Sequence, residues 1–400
     1  LAQIRKEKAA DIDIPAGEAS VALDALRGAL HRSLTLLAED LYRDDVHCIS
    51  ELLQNADDNE YAPGVEPTWA LHVAANDAAV WTTNNEKGMT PSDVRALCDA
   101  GNSSKRLGEG RARIGRKGVG FKSVFKLSSS PHVLSAGFRF RFDLDANGLL
   151  GYILPERLSS LDAFPPPARL AWSDAQQTVL YLPLREGAPQ AEALRDALRK
   201  RAASLLFLRR LRHVSYTDEA TGESLHVRRQ QQRSEPESLQ AGQSGTPDGV
   251  DRWSVTVEEL EYRQDGGLQQ QQAQRRKHLR CAAELSVPPM FTSSASGPTT
   301  EIVIALPLAE ADGSFKDSND SSEHAGDICQ VFCFLPVRNV GLRFALHAEF
   351  DLVTNRDDVH DSAWNRWLRD SAARLFVAAV AAQPPVVCAP ALAFLPATLR

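Results

Sequence analysis

Glu51-Leu-Leu-Gln-Asn55-Ala-Asp-Asp58 carries polar side chains at steps of four and three, which puts Glu51, Asn55 and Asp58 on one helix face. Ile49, Leu52, Leu53 and Ala56 then turn toward a core. A carboxylate, an amide and a second carboxylate on one face suit a hydrated Mg²⁺ and an attacking water. The same residues also fit the solvated edge of an amphipathic helix, so their company has to separate the two readings. Downstream stand Asn84-Asn85-Glu86-Lys87-Gly88-Met89 and then the glycine cluster Gly115-Arg-Lys-Gly118-Val119-Gly120-Phe121-Lys122-Ser123. Glycines there either let backbone amides approach phosphate or simply end a helix. Helix, short turn and glycine loop in this order predict an ATP site.

Two familiar phosphate motifs fail on this cluster. A P-loop needs Lys and Ser/Thr directly after the second glycine of GxxxxG, but Phe121 intervenes between Gly120 and Lys122. A dinucleotide fingerprint fails because Ser123 stands where its third glycine belongs.

Four hundred residues with 43% hydrophobic and 24% charged content describe a globular chain with material for two domains. A net charge of −7 argues against a general nucleic-acid coat, although Arg209-Arg210-Leu-Arg212 and Arg275-Arg276-Lys277 keep a DNA-associated reading open. The six cysteines are too sparse for a disulfide scaffold and form no CxxC pair, so they read as reduced and intracellular, in cytoplasm or nucleus. The start lacks Met and an apolar signal core, the mark of a segment of something longer. Prolines 384, 385, 390 and 396 interrupt the apolar stretch 376–399, which argues against a membrane partner.

Leucines at three- and four-residue steps predict an amphipathic helix from Ser20 to Tyr42. Strands are expected at 68–73, 78–83, 132–135, 138–144, 150–154 and 178–184, and Thr90-Pro91-Ser92-Asp93 reads as a helix start. Later strands fall at 253–257, 301–306, 331–335 and 342–352, before a helix lined by Trp364, Trp367, Leu368, Ala372, Phe376 and Val380. This is an α+β chain with an antiparallel or mixed sheet. Its expected divisions are an extension over 1–19, a nucleotide domain over 20–215 with a lid near 102–117, a smaller α/β domain over 216–382, and a Pro-rich linker over 383–400. Gln, Ser and Gly enrichment marks 228–249 and 265–276 as disordered insertions.

The order ExxxNxxD, a turn ending Gly88-Met89, then GxxGxGF resembles the GHKL ATPases, which include the ninety-kilodalton heat-shock chaperone, gyrase B, MutL and histidine kinases. Gly101-Asn-Ser-Ser-Lys105, Gly118-Val-Gly-Phe-Lys-Ser-Val-Phe125, Phe332-Cys-Phe-Leu-Pro-Val-Arg338 and Thr354-Asn-Arg356 are similar to the sacsin and NO VEIN-like branch of that superfamily. The resemblance implies a Bergerat-type ATP-binding α/β sandwich, ATP and Mg²⁺ as ligand and cofactor, and protein clients or other domains of a longer chain as partners.

Carried over residue by residue, it makes Glu51 the general base, Asn55 the Mg²⁺ ligand and Asp58 a neighbour of the nucleotide base. Gly115, Gly118, Val119, Gly120 and Phe121 would cradle phosphates. Lys105 would reach phosphate from a closed lid or stay solvated, and the basic run Arg111 to Lys122 reads mostly as solvated. Thr178 would face adenine or be an ordinary strand residue, while Arg356 would neutralise phosphate charge or pair with Asp357 or Asp358. Most of the superfamily has Asp-x-Gly-x-Gly-Met, whose Asp accepts the adenine amino group, yet Asn84 and Glu86 stand at the Asp and first-Gly positions before Gly88-Met89. Either Glu86 supplies the acceptor or base recognition is altered. The resulting expectation is slow Mg-dependent ATP hydrolysis driving conformational change, with a non-hydrolysing scaffold and a MutL- or gyrase-like ATPase as alternatives.

Overall fold

The computed structural model describes residues 1–8, 17–36, 47–76, 78–99, 120–162, 164, 169, 177–233, 250–265, 268–291, 297–308, 330–353 and 358–381. Its helices are α1 (Ala2–Glu7), α2 (Glu18–Thr35), α3 (His47–Asp58), α4 (Pro91–Leu97), α5 (Leu144–Asn147), α6 (Ala191–Ala202) and α7 (Ala363–Ala381), with a 3₁₀ helix at Gly120–Lys126. The strands are β1 (Thr68–Val73), β2 (Ala79–Asn84), β3 (His132–Ser135), β4 (Phe138–Arg141), β5 (Glu156–Arg157), β6 (Thr178–Pro183), β7 (His213–Asp218) and β8 (Ser224–Arg233). They continue with β9 (Asp251–Asp265), β10 (Leu268–Ser286), β11 (Thr299–Leu308), β12 (Val331–Cys333), β13 (Leu335–Arg338) and β14 (Ala345–His347). The chain is thus α+β, with helices on one large mixed sheet.

That sheet runs β13-β12-β14-β11-β10-β9-β8-β7-β1-β2-β6-β3-β4-β5. β1 pairs with β7, and β12 with β14, in parallel; the other ladders are antiparallel. Period-two alternation sorts the side chains. Trp69, Leu71, Val80, Leu180, Val214 and Tyr216 share the main core with Leu53 and Ala56 of α3, and Val303, Ala305 and Phe332 extend that core under the later strands. Ile302, Ile304 and Leu306 belong to a second core with Trp364, Leu368 and Leu375 of α7. The boundary expected at 215/216 falls inside β7, and the sheet continues across it.

Local chemistry explains several element ends. Thr90 caps α4 in a capping box with Asp93, and Pro91 occupies the first turn. The expected strand over 150–154 is instead a turn, because Ile153 N–H and Leu154 N–H both donate back to the Leu150 carbonyl. The expected helix over 20–42 is described to Thr35; Leu34 is buried, but Val21 and Leu26 are exposed.

The Gln-rich stretch is a second correction. Residues 268–276 are not a disordered insertion but part of β10, and 228–233 belong to β8; 234–249 lie outside the described residues. Composition misled there because the strand is held by its ladder to β9 and by cross-strand ion pairs, Arg275 with Glu258 at 2.8 Å and Arg276 with Glu259 at 3.0 Å. No helix among the described residues is long and apolar enough to cross a membrane.

His278 and His347 are buried in the later strands, and burial pushes them down to about 4 and about 3. The unfolded chain takes up these protons near pH 6.5 and the folded chain does not, so the unfolded state binds more protons in between. Stability is therefore expected to fall on acidification below pH 6.5, by up to about 1.4 kcal/mol per pH unit per histidine. Denaturant melts at pH 7, 6 and 5 measure this, and His347→Asn is expected to flatten the dependence by about one proton.

Candidate functional site

α3 lies on the sheet face that also carries α6, with Leu52, Leu53 and Ala56 buried, as its spacing requires. Glu51 is buried too, only 6% exposed, and Gly120 is packed against it. A Cβ on Gly120 would overlap Oε2 of Glu51, so a larger residue there would push the carboxylate aside. The structure thus brings together the helix and the last glycine of the cluster. Asn55 and Asp58 sit half-buried on the same helix.

Lys122 departs from its reading as part of a solvated basic run. It is buried, with Nζ donating to the carbonyls of Leu97 at 2.5 Å and Tyr152 at 2.7 Å and standing 4.9 Å from the Phe142 ring centre. Burial pulls its pKa down to about 7. The ammonium ties the end of α4 to the 3₁₀ helix, two elements that flank residues 100–119.

The other end of the site forms where strands meet. Asn84 of β2 lies opposite Thr178 of β6, and alternation puts both on the face that carries α3. The Thr178 hydroxyl donates to Glu86 at 2.6 Å and lies 2.5 Å from the Ser135 hydroxyl, whose oxygen accepts from Met89 N–H at 2.8 Å. Gly88 has φ +90 and approaches Ala136, so the turn requires glycine twice over. The Tyr61 hydroxyl donates to the Ala56 carbonyl of α3 at 2.7 Å and is hydrogen-bonded by the Asn84 side chain. Asn84 Oδ1 is buried with no hydrogen-bond partner.

Asp57 is a residue that the spacing argument passed over. It is 2% exposed and accepts from three consecutive backbone amides, Arg209 at 2.8 Å, Arg210 at 2.7 Å and Leu211 at 2.8 Å. Burial raises its pKa against the opposing pull of those amides. An acidic residue four positions after Leu53, on the apolar side of the helix, was the available signal. Ser135 and Tyr61 carried no such signal.

Lys105, Gly115, Gly118, Val119 and Arg356 lie outside the described residues. Asp358, one of the two partners considered for Arg356, is engaged by Arg338 at 2.6 Å. Among the described residues no cluster of three His, Cys, Asp or Glu could hold a metal ion. A separate cavity of about 780 Å³ opens beside α6, where Arg185, Arg195 and Arg263 are balanced by Glu192, Asp218 and Glu223. It contains none of the candidate site residues.

No family model matches the chain. It is 32% identical over 394 residues to Protein NO VEIN of Arabidopsis thaliana, a match covering 94% of the chain. The chain is homologous to a segment of NO VEIN. It is more weakly similar to human sacsin, 28% identical over 149 residues and 33% of the chain. The matches span 12% of NO VEIN and 3% of sacsin.

In this NO VEIN-like chain Asp57→Ala would strand three amides, one buried and two partly buried, and is expected to cost about 3 kcal/mol in urea melts. Asp58→Ala, one residue on and half-buried, is expected to cost less than about 1 kcal/mol.

Proposed function

We propose that the chain binds Mg-ATP between α3 and the glycine cluster, in a GHKL-type domain of Bergerat architecture, and hydrolyses it slowly. The observation that carries this reading is the Gly120 backbone seated on the buried Glu51 carboxylate. An ionisable oxygen beside the last glycine of the cluster supports reading that segment as a phosphate cradle. Glu51 orients a water, accepts its proton as the new O–P bond forms, and the bond to the ADP oxygen breaks. The backbone N–H groups of Gly120 and Phe121 donate to phosphate oxygens. The Asn55 amide oxygen would hold Mg²⁺, whose contribution is to neutralise phosphate charge, with water and phosphate completing its shell.

At the base end the acceptor roles divide. Glu86 already takes the Thr178 hydroxyl, whereas Asn84 Oδ1 is buried and unpartnered. An exocyclic amino group would satisfy that oxygen, so Asn84 reads the base while Glu86 orients Thr178 and Ser135. The DNA-associated alternative loses its main support, since Arg275 and Arg276 are paired with Glu258 and Glu259 and Arg212 donates to carbonyls of its own loop. Coupling of nucleotide state to conformation would then serve a larger chaperone-like or regulatory protein with the surrounding chain as partner.

ATP binding by calorimetry and turnover by phosphate release test this. Glu51→Ala is expected to bind ATP yet lose at least about 100-fold in hydrolysis, and Asn55→Ala to lose Mg-dependent binding. Gly120→Ala should displace Glu51 and lower turnover with little loss of stability. Hydrolysis indifferent to Glu51→Ala would sink the mechanism, binding without turnover in the wild type would favour the scaffold, and absence of binding would remove the nucleotide reading altogether. Asn84→Ala is expected to weaken ATP by roughly three- to tenfold and GTP less.

A further inference from the structure

The three amides held by Asp57 belong to a segment that also holds the later strands. Phe207 packs tilted against Phe332 at 4.7 Å and stacks on His347 at 5.4 Å, ring centre to ring centre. Arg209 stands over the Phe334 ring at 5.3 Å and approaches Glu349 at 3.8 Å. The Glu349 carbonyl in turn accepts from the Trp364 indole of α7 at 2.8 Å. Upstream, the buried guanidinium of Arg229 donates to the carbonyls of Leu205 and Leu208, which fixes the segment's start to β8.

What the segment touches is a backbone corner with a conformation of its own. Phe334 has φ +65, the left-handed region that non-glycine residues seldom adopt, and sits between β12 and β13. Its N–H donates to Nδ1 of His347 at 3.1 Å, and that ring packs 4.5 Å from the Phe334 ring. A corner held this way depends on its neighbours to stay in place.

We infer that residues 207–211 are a mechanical link, gripped by Asp57 of α3 on one side and gripping the Phe332–Phe334 corner through Phe207 and Arg209 on the other. Because one carboxylate binds three successive amides, the last turn of α3 and this segment move together. A shift of α3 on nucleotide binding, which rests on the reading of Glu51 and Asn55 as an ATP site, is delivered to the corner and to α7. Asp57 is a positioning residue in this scheme and touches no nucleotide.

Hydrogen exchange on the full chain tests the link, first without nucleotide. Asp57→Asn turns a donor toward one of the three amides, and exchange over 332–348 is expected to rise at least about fivefold. Exchange in β1 and β2 should stay unchanged. Arg209→Ala leaves the Asp57 clamp intact, because that clamp uses the Arg209 backbone, and should loosen the same peptide. The double variant is expected to match the larger single effect, whereas independent contacts would multiply. Multiplying factors, or exchange over 332–348 indifferent to both substitutions, overturns the link. If Asp57→Asn does not fold, Arg209→Ala and Phe207→Leu carry the same comparison.

With ATP and Mg²⁺ added, the wild type is expected to change its exchange over 332–348 and Arg209→Ala to lose that change while still binding. A change that persists in Arg209→Ala overturns the link. Wild-type protein that binds no ATP overturns the nucleotide reading, and the nucleotide-free comparison then decides the link by itself.

Discussion

α3 buries two carboxylates, and neighbouring segments are positioned around both. Glu51 and Asp57 are each less than a tenth exposed on one 12-residue helix. A buried ionised carboxylate without compensation is costly enough to unfold a domain or force protonation. Asp57 is answered by three amides of 209–211, which pins the helix in rotation and along its axis. Glu51 meets the Gly120 backbone, so the helix register also determines where the glycine segment can lie. Asn55 and Asp58 inherit their positions from these two anchors.

The strand ends follow a related rule with neutral groups. Thr178, Ser135 and the Met89 amide form a chain of hydrogen bonds that ends on Glu86. Asn84 stands beside that chain, its amide nitrogen directed to Tyr61 and its oxygen unsatisfied. Buried carbonyls seldom remain without a donor, and those that do mark strain or a ligand. Tyr61 joins this end to α3 through the Ala56 carbonyl, so both halves of the candidate site share one scaffold.

Much of this was legible in the sequence, for reasons that can be named. β1 and β3 span the residues that the sequence predicts, because short β-branched and aromatic runs bounded by turn residues leave little freedom. The α4 start was legible because a capping box is a local device. Lys122, Asp57 and the 268–276 strand were not. Each is a polar residue or run whose burial or pairing depends on partners outside itself: the Leu97 and Tyr152 carbonyls, the 209–211 amides and the adjoining β9 ladder. Composition and periodicity report a residue's own preference, and such tertiary partners override it.

The continuous sheet bears on what kind of unit this is. The strands after β8 share a second core with α7, but they form no sheet of their own. Instead β7 carries the ladder on, and Phe332 and Ala345 of the later strands lie in the same core as α3 while Val331 and Leu346 face α7. The match to NO VEIN covers both halves and 94% of the chain within 12% of that protein. Such a body transmits displacement well, because a close-packed core resists deformation and passes strain to its neighbours. An event at α3 therefore has a short physical route to the later strands, through the core they share.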